Sequence, residues 1–193
     1  MNRIIIISIL SVLTFTNIQN QAFAQKKGEV VYQVPKIPLD EVTKLIDYTK
    51  VVTMDGKNAN EIYEKALRWV NSYYKNPSEV LREKYIEETK FLVKGRSKYL
   101  NPADKNGLEV QAGLLQYSIV FQAKDGRFKY EIKDWNIKAN SYEPVEFWMN
   151  KTAPTYNIKF DYYLIQLDKL ANEIEKSLID FMNKPETVPT KDW

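Results

Sequence analysis

The sequence predicts an α+β domain: an antiparallel, five-stranded sheet with two helices on one face, in the order β-α-β-β-β-β-α. Three observations carry the prediction. The run from Leu114 to Trp135 alternates polar and apolar residues on both sides of Asp125-Gly126, the strongest short-range signal for a two-residue hairpin. Two segments, one beginning at Asn58 and one near Asp161, repeat apolar residues at helical spacing. The strands between them are joined by short turns, which antiparallel pairing needs and parallel pairing forbids.

The elements follow in chain order. Met1-Asn2-Arg3, the apolar run Ile4 to Phe15 and the small-residue site Ala22-Phe23-Ala24 read as a secretory signal peptide, residues 1–24. Twelve apolar residues fall short of the roughly 20 that span a bilayer. The mature protein is therefore expected to be exported, periplasmic or extracellular, with no membrane insertion after cleavage. Residues 25–44, with Pro35 and Pro38, read as an extended leader. A single domain is predicted over 45–183 and a polar tail over 184–193. Leu45 to Met54 is strand-like and stops at Asp55-Gly56.

Asn58 with Glu61 forms a capping-box pattern, and Ile62, Ala66, Trp69 or Val70, and Tyr73 mark the buried stripe of the first helix. Pro77 ends it, because the residue before a proline avoids helical geometry. The aromatic residues of this helix read as core. Its charged side (Glu61, Glu64, Lys65, Arg68), like Lys169, Glu173 and Lys176 later, reads as a solvated face. Val80 to Glu87 and Lys90 to Lys98 read as two strands turning at Glu88-Thr89. Their inward face is left open, since Phe91-Leu92-Val93 is apolar on both sides. Lys98 to Gly113 reads as a long surface connection.

In the hairpin, a turn with both central residues at positive φ sets Lys124 opposite Arg127, Ala123 opposite Phe128, Phe121 opposite Tyr130, Ile119 opposite Ile132 and Tyr117 opposite Asp134. One face is then apolar and the other carries Lys124, Arg127, Lys129 and Lys133 with Glu131; a one-residue slip would mix the two sets. Asn136 to Tyr156 reads as irregular. From Asp161 to Met182 the stripe Phe160, Leu164, Leu167, Ala171, Ile174, Leu178, Phe181 predicts a helix that covers the sheet.

Composition narrows the chemistry. The 193 residues contain no His and no Cys, which removes Ser-His-Asp and Cys-His machinery, thiolate nucleophiles, disulfides and the usual zinc sites. No metal and no cofactor is predicted. Cleavage after Ala24 would remove Arg3 alone among the charges, leaving 27 basic against 25 acidic residues. That balance does not point to nucleic acid or an anionic membrane.

Two regions offer candidate binding residues. The hairpin face, with Lys124, Arg127 and Lys129, is either a solvated strand surface or a docking surface for a peptide or an anionic envelope polymer. The loop residues Tyr142, Glu143, Glu146 and Trp148 place aromatic rings beside carboxylates, as a glycan site would need. The first reading of the same loop is nevertheless a core anchor, with binding second, and a pair of carboxylates performing glycoside hydrolysis comes last. The reading is a non-enzymatic domain binding a protein or glycan partner in the cell envelope; the alternative is a small carboxylate-dependent hydrolase.

The run Tyr48 to Val70, with Asp55-Gly56-Lys57, Glu61-Ile62-Tyr63 and Ala66-Leu67-Arg68-Trp69, resembles the opening of a family of exported bacterial proteins known as a domain of unknown function with a TBP-like fold. The run Tyr117 to Tyr130, closing on Lys124-Asp125-Gly126-Arg127, resembles that family's most recognisable strand. The resemblance covers about Asp40 to Trp135 and implies a TBP-like β-α-β-β-β-β-α domain, with no catalytic residues. Lys94-Gly95-Arg96-Ser97 departs from a more glycine-rich strand. In TATA-binding protein the uncovered sheet face holds DNA; the near-neutral charge, the export signal and the absence of evident base-stacking side chains argue against that partner here.

Overall fold

The structure is a computed structural model; it describes residues 31–138 and 142–185, and the expectations for the signal peptide, for 25–30 and for 186–193 lie outside the described residues. The elements are β1 (Tyr48–Thr53), α1 (Ala59–Tyr73), a single turn α2 (Pro77–Val80), β2 (Leu81–Tyr85), β3 (Lys90–Leu100), β4 (Gln111–Lys124), β5 (Arg127–Lys138), β6 (Tyr142–Pro144), a 3-10 turn (Val145–Met149) and α3 (Lys159–Asn183). The sheet is antiparallel in the order β1-β5-β4-β3-β2. The five expected strands are joined by the short β6, which pairs with the far end of β5 beyond β1.

The hairpin register matches the expected one from Lys124↔Arg127 through Ser118↔Lys133 and then departs from it. Ser118 pairs with Lys133 but Gln116 pairs with Asn136, so β5 carries one extra residue. Asp134 absorbs it at φ 56. Tyr117 therefore does not face Asp134 in a regular pair. The bulge reverses the parity of β5: Phe128, Tyr130 and Ile132 point inward before it, and Trp135 points inward after it. Trp135 then packs against Tyr117 and Tyr48, with ring centroids 5.2 and 6.2 Å away. An unbulged strand would have turned this indole to the other face.

The turn also differs from the expected one. Gly126 has φ 73, while Asp125 is not among the residues at positive φ. The tip is held from outside instead. Met54 N–H donates to Gly126 C=O (2.7 Å), Gly126 N–H donates to Lys57 C=O (2.9 Å), and Ala59 N–H donates to Asp125 Oδ1 (2.8 Å). The hairpin corner thus docks on the start of α1, where Asn58 and Glu61 complete the capping box with two 2.9 Å bonds.

The helices cover one face. α1 lies against β4 and β5, and α3 lies against α1, β3 and the 3-10 turn. Between them and the sheet sit Trp69, Trp135, Trp148, Phe91, Phe121, Phe128, Ile119 and Leu167, all at 2% exposure or less. The stripe on α3 holds through its middle, from Leu164 to Leu178; at its ends Tyr163 and Met182 are the buried residues while Phe160 and Phe181 are half-buried. Polar ties fix α3 along its length. Gln166 bonds both the N–H and the C=O of Leu100 at 2.9 Å, Tyr48 Oη donates to Asp168 Oδ1 (2.8 Å), and Trp69 Nε1 donates to Ser177 Oγ (3.1 Å).

Several boundaries move. β1 is shorter than Leu45 to Met54; Ile46 instead bridges Leu39, and Ile37 of the presumed leader is buried in the core. β3 and β4 extend further than expected and leave a loop of 101–110 only. The β2–β3 turn spans 86–89, with Thr89 at φ 47 and its hydroxyl donating to Ala123 C=O (2.7 Å). Lys65 is not on a solvated face. It is 7% exposed and its ammonium donates to Lys184 C=O at 2.6 Å. No helix among the described residues is long and apolar enough to cross a membrane.

Candidate functional site on the open face of the sheet

Strand alternation decides what the second face of the sheet displays. On β3 the residues between inward-pointing Phe91, Val93, Gly95 and Tyr99 are Lys90, Leu92, Lys94, Arg96 and Lys98. On β4 they are Leu114, Gln116, Ser118, Val120, Gln122 and Lys124, and on β5 Arg127, Lys129, Glu131 and Lys133, then Asn136 and Lys138 beyond the bulge. The register lines these up in rows. Lys94, Ser118 and Lys133 form one, Lys90, Gln122 and Lys129 another, and Arg96, Gln116 and Asn136 a third. Basic residues far outnumber the acidic groups on this face, Glu83, Glu131 and Asp134.

Glu131 is the exception that proves informative. Lys129 and Lys133 both donate to its carboxylate, one to each oxygen. Partial burial raises its pKa, but the two ammonium groups outweigh that and hold it below the ordinary glutamate value. Their charges are thus partly spent internally, while Lys94 and Arg96 stand exposed.

Two of the hollows on this face lie over β3, β4 and β5. The larger, about 830 Å³, is lined by residues including Arg82, Lys94, Arg96, Gln116, Asn136, Lys138 and Tyr142. A smaller one, about 310 Å³, lies over Leu92, Val120 and Gln122 between Lys90, Lys129 and Lys133. Asn136 Nδ2 donates to Asp134 C=O (2.7 Å), whereas its Oδ1 is buried without a partner among the described residues.

The structure sorts the candidate residues. Lys124, Arg127 and Lys129 do share the open face, around a shallow hollow with Val51 and Gln122. Tyr142 joins them at the other end, 66% exposed on the rim of the larger groove. Its neighbours do not. Glu143 pairs with Ile137 and so lies on the helix side of β6. Glu146 turns inward and accepts the N–H of Ile46 at 2.8 Å. Trp148 is 1% exposed, packed among Tyr99, Phe160 and Tyr163, and offers no ring face to a ligand. The expected aromatic-carboxylate loop is thus a core anchor, because β6 and the 3-10 turn pull it onto the sheet edge. Glu143 and Glu146 share no cleft in which to act as an acid-base pair. The carboxylates whose pKa moves (Asp40, Asp104 and Glu131) all move down, Asp40 and Asp104 chiefly through bonds from backbone N–H groups and Glu131 through its lysines against the pull of burial. No cluster of three or more metal-ligating side chains occurs among the described residues.

Sequence reasoning missed Lys94, Arg96, Arg82, Gln116, Asn136 and Lys138. A signal for the first two was present: Gly95 flanked by Lys94 and Arg96 marks the inward parity that Phe91-Leu92-Val93 hides. A Cβ on Gly95 would lie 2.2 Å from the Tyr117 ring, so this position faces the core and its charged neighbours face away.

An antiparallel sheet with helices on one side and an uncovered basic face on the other fits a class of α+β domain, the TBP-like fold. Solved structures share it. A DUF4468 family protein from Bacteroides ovatus aligns over 82% of this chain and 96% of its own, with 15% identity and a TM-score of 0.63. A TBP-like protein from Parabacteroides distasonis aligns over 78% and 99%, with 12% identity and a TM-score of 0.56. At such identities the likeness is one of fold. In sequence, residues 48–138, the span from β1 through β5, match the model of DUF4468, a domain of unknown function with TBP-like fold. No curated protein matches the chain.

Proposed function

We propose that this domain is a non-enzymatic binding module of the bacterial cell envelope that holds an anionic partner against the open face of its sheet. One observation carries the reading. Lys90, Lys94, Arg96 and Lys98 of β3 stand beside Lys124, Arg127, Lys129, Lys133 and Lys138 on one face, in a protein whose formal charge is only +3. Such segregation costs self-repulsion in the free state and yields a field suited to an opposite charge. The signal-peptide pattern of residues 1–24 supports an envelope location. Glu146 is turned to a backbone amide and Trp148 lies in the core, so the loop residues considered for hydrolysis do not support that alternative.

The test is site-directed photocrosslinking in cells. A photoreactive residue replacing Gln122 or Gln116 on the open face is expected to trap an envelope component, and one replacing Glu173 on α3 is not. The double variant Lys94→Glu/Arg96→Glu should abolish the trapping. Equal trapping from Glu173, or trapping indifferent to the charge reversal, overturns the reading.

A further inference from the structure

Resting on that reading, we infer that the partner is a protein, and that an acidic, extended segment of it adds a strand to the outer edge of β3. β3 runs for 11 residues, whereas β2 runs for 5 and pairs only with Lys90 to Val93. The single turn α2 leads into β2 at Leu81, so past Val93 the outer edge of β3 has no strand beside it among the described residues. Successive residues of a strand turn their N–H and C=O groups to opposite edges. Ala123 N–H of β4 donates to Thr89 C=O at 2.9 Å, so the odd-numbered residues that follow Thr89 face β4 and the even-numbered ones face outward. Leu100 obeys this alternation: its N–H and C=O are both met at 2.9 Å by the Gln166 side chain of α3 rather than by β4.

Between the end of β2 and Gln166, the backbone N–H and C=O groups of Lys94, Arg96 and Lys98 therefore point away from the sheet. Among the described residues the partner they find there is the Ser97 hydroxyl, a long 3.4 Å from Lys98 C=O. Gln166 shows in miniature what this edge accepts, an amide that gives one bond and takes another. The same three residues are exposed, carry their side chains on the open face, and form no ion pair among the described residues. Glu83, on the same flank, accepts the Tyr85 hydroxyl. In an antiparallel pair, residues stand directly opposite one another with their side chains on one face. A strand with Asp or Glu at every second position repeats at about 6.8 Å, the spacing of Lys94, Arg96 and Lys98 along β3. Each carboxylate then meets a cation while its own backbone completes the ladder.

Competing occupants fit less well. The same edge of a second copy would set cation against cation, which is how lysines guard a free edge from its own kind. A polysaccharide or a nucleic acid would meet the charges and leave the row of backbone groups unused. An extended peptide uses both, with the ladder supplying affinity and the alternating side chains supplying choice.

The experiment combines amide hydrogen exchange with calorimetric titration of the signal-cleaved chain. The probe is a heptapeptide alternating threonine and glutamate, threonine at both ends. In the free chain the amides of Lys94, Arg96 and Lys98 should exchange fast and those of Gly95 and Ser97 slowly; the peptide should slow the first three. In the antiparallel pairing the glutamate N–H groups face β3, so N-methylation at the glutamates should weaken binding about tenfold or more, and N-methylation at the inner threonines should leave it nearly unchanged. A peptide of the same composition with its glutamates consecutive should bind more weakly. Lys94→Gln/Arg96→Gln should weaken binding about tenfold. Lys169→Ala, on the exposed side of α3, should change nothing, and circular dichroism checks that each variant is folded. Slow exchange at all five amides in the free chain, equal loss from either methylation, or an unaffected double variant overturns the inference. If the peptide does not bind while the open-face crosslinks persist and remain charge-dependent, strand addition is refuted and the binding module stands, with a polyanion other than a peptide as its partner. If the crosslinks fail as well, both fall.

Discussion

Gly95 shows how much one residue can decide. It sits on β3 opposite Tyr117, and the tyrosine ring fills the space a side chain would take, with Cζ 2.2 Å and Oη 2.4 Å from an added Cβ. That ring is in turn pinned by Trp135 and by the hydroxyl of Tyr74, 3.2 Å away. The ring cannot simply swing aside. Gly95→Ala is therefore expected to destabilise the fold by about 1–3 kcal/mol, the usual cost of overpacking a filled core. A urea midpoint equal to wild type would show that Tyr117 has room to retreat. At this scale much of the sequence was legible: Gly126 supplies the positive φ the corner requires, and Asn58 with Glu61 caps α1 as the pattern implied. Asp134 was not legible. Nothing local distinguishes an aspartate in a bulge from one in a regular strand, and only the demand to bury Trp135 puts it at φ 56.

At the scale of elements, α3 is the piece that converts a half-greasy sheet into a sealed core. Leu167 is fully buried near its middle, flanked by Leu164, Ala171 and Ile174. Leu167→Ala should cost about 2–5 kcal/mol, transfer loss plus the cavity left behind, read as a shift in the urea midpoint at constant slope. A loss below about 0.5 kcal/mol would mean that α3 lies loosely on the sheet. The exposed Lys50–Glu175 pair, 2.8 Å apart, contributes little by comparison, because surface ion pairs average about 0–1 kcal/mol. Helix periodicity was readable from Leu164 to Leu178 because each contact repeats every three or four residues, and it slipped at the ends, where Tyr163 and Met182 are buried in place of Phe160 and Phe181. The faces of β2 and β3 were not, since an apolar triplet carries no parity, and so half of the basic face went unseen while Lys124, Arg127 and Lys129 were found.

The molecule as a whole is tuned by buried tyrosines. Burial, reinforced by the bond to Asp168, pushes the Tyr48 hydroxyl far above its ordinary pKa; burial beside Tyr117 does the same for Tyr74, and burial lifts Tyr117 to about 12. The folded-state pKa values exceed the unfolded value near 10, so the unfolded chain loses these protons first. Their contribution to stability is intact below about pH 10 and drains away as pH rises beyond it. An alkaline titration followed at 295 nm and by near-ultraviolet circular dichroism should show exposed tyrosines ionising in the folded protein and a second group ionising only as the dichroism collapses. If every tyrosine ionised near pH 10 with the dichroism intact, the buried network would be wrong.

What the sequence by itself determined was everything written in short periods: a hairpin with one apolar face, a capped helix, a long amphipathic helix, and a site without histidine or cysteine chemistry. Those patterns repeat within a few residues, so a local reading recovers them. Tertiary structure alone decided the parity switch in β5, the inward turn of Glu146, the burial of Trp148, and the gathering of β3 and β5 cations across β4. Each depends on which distant strand lies alongside and in what register, and register is a property of the assembled sheet.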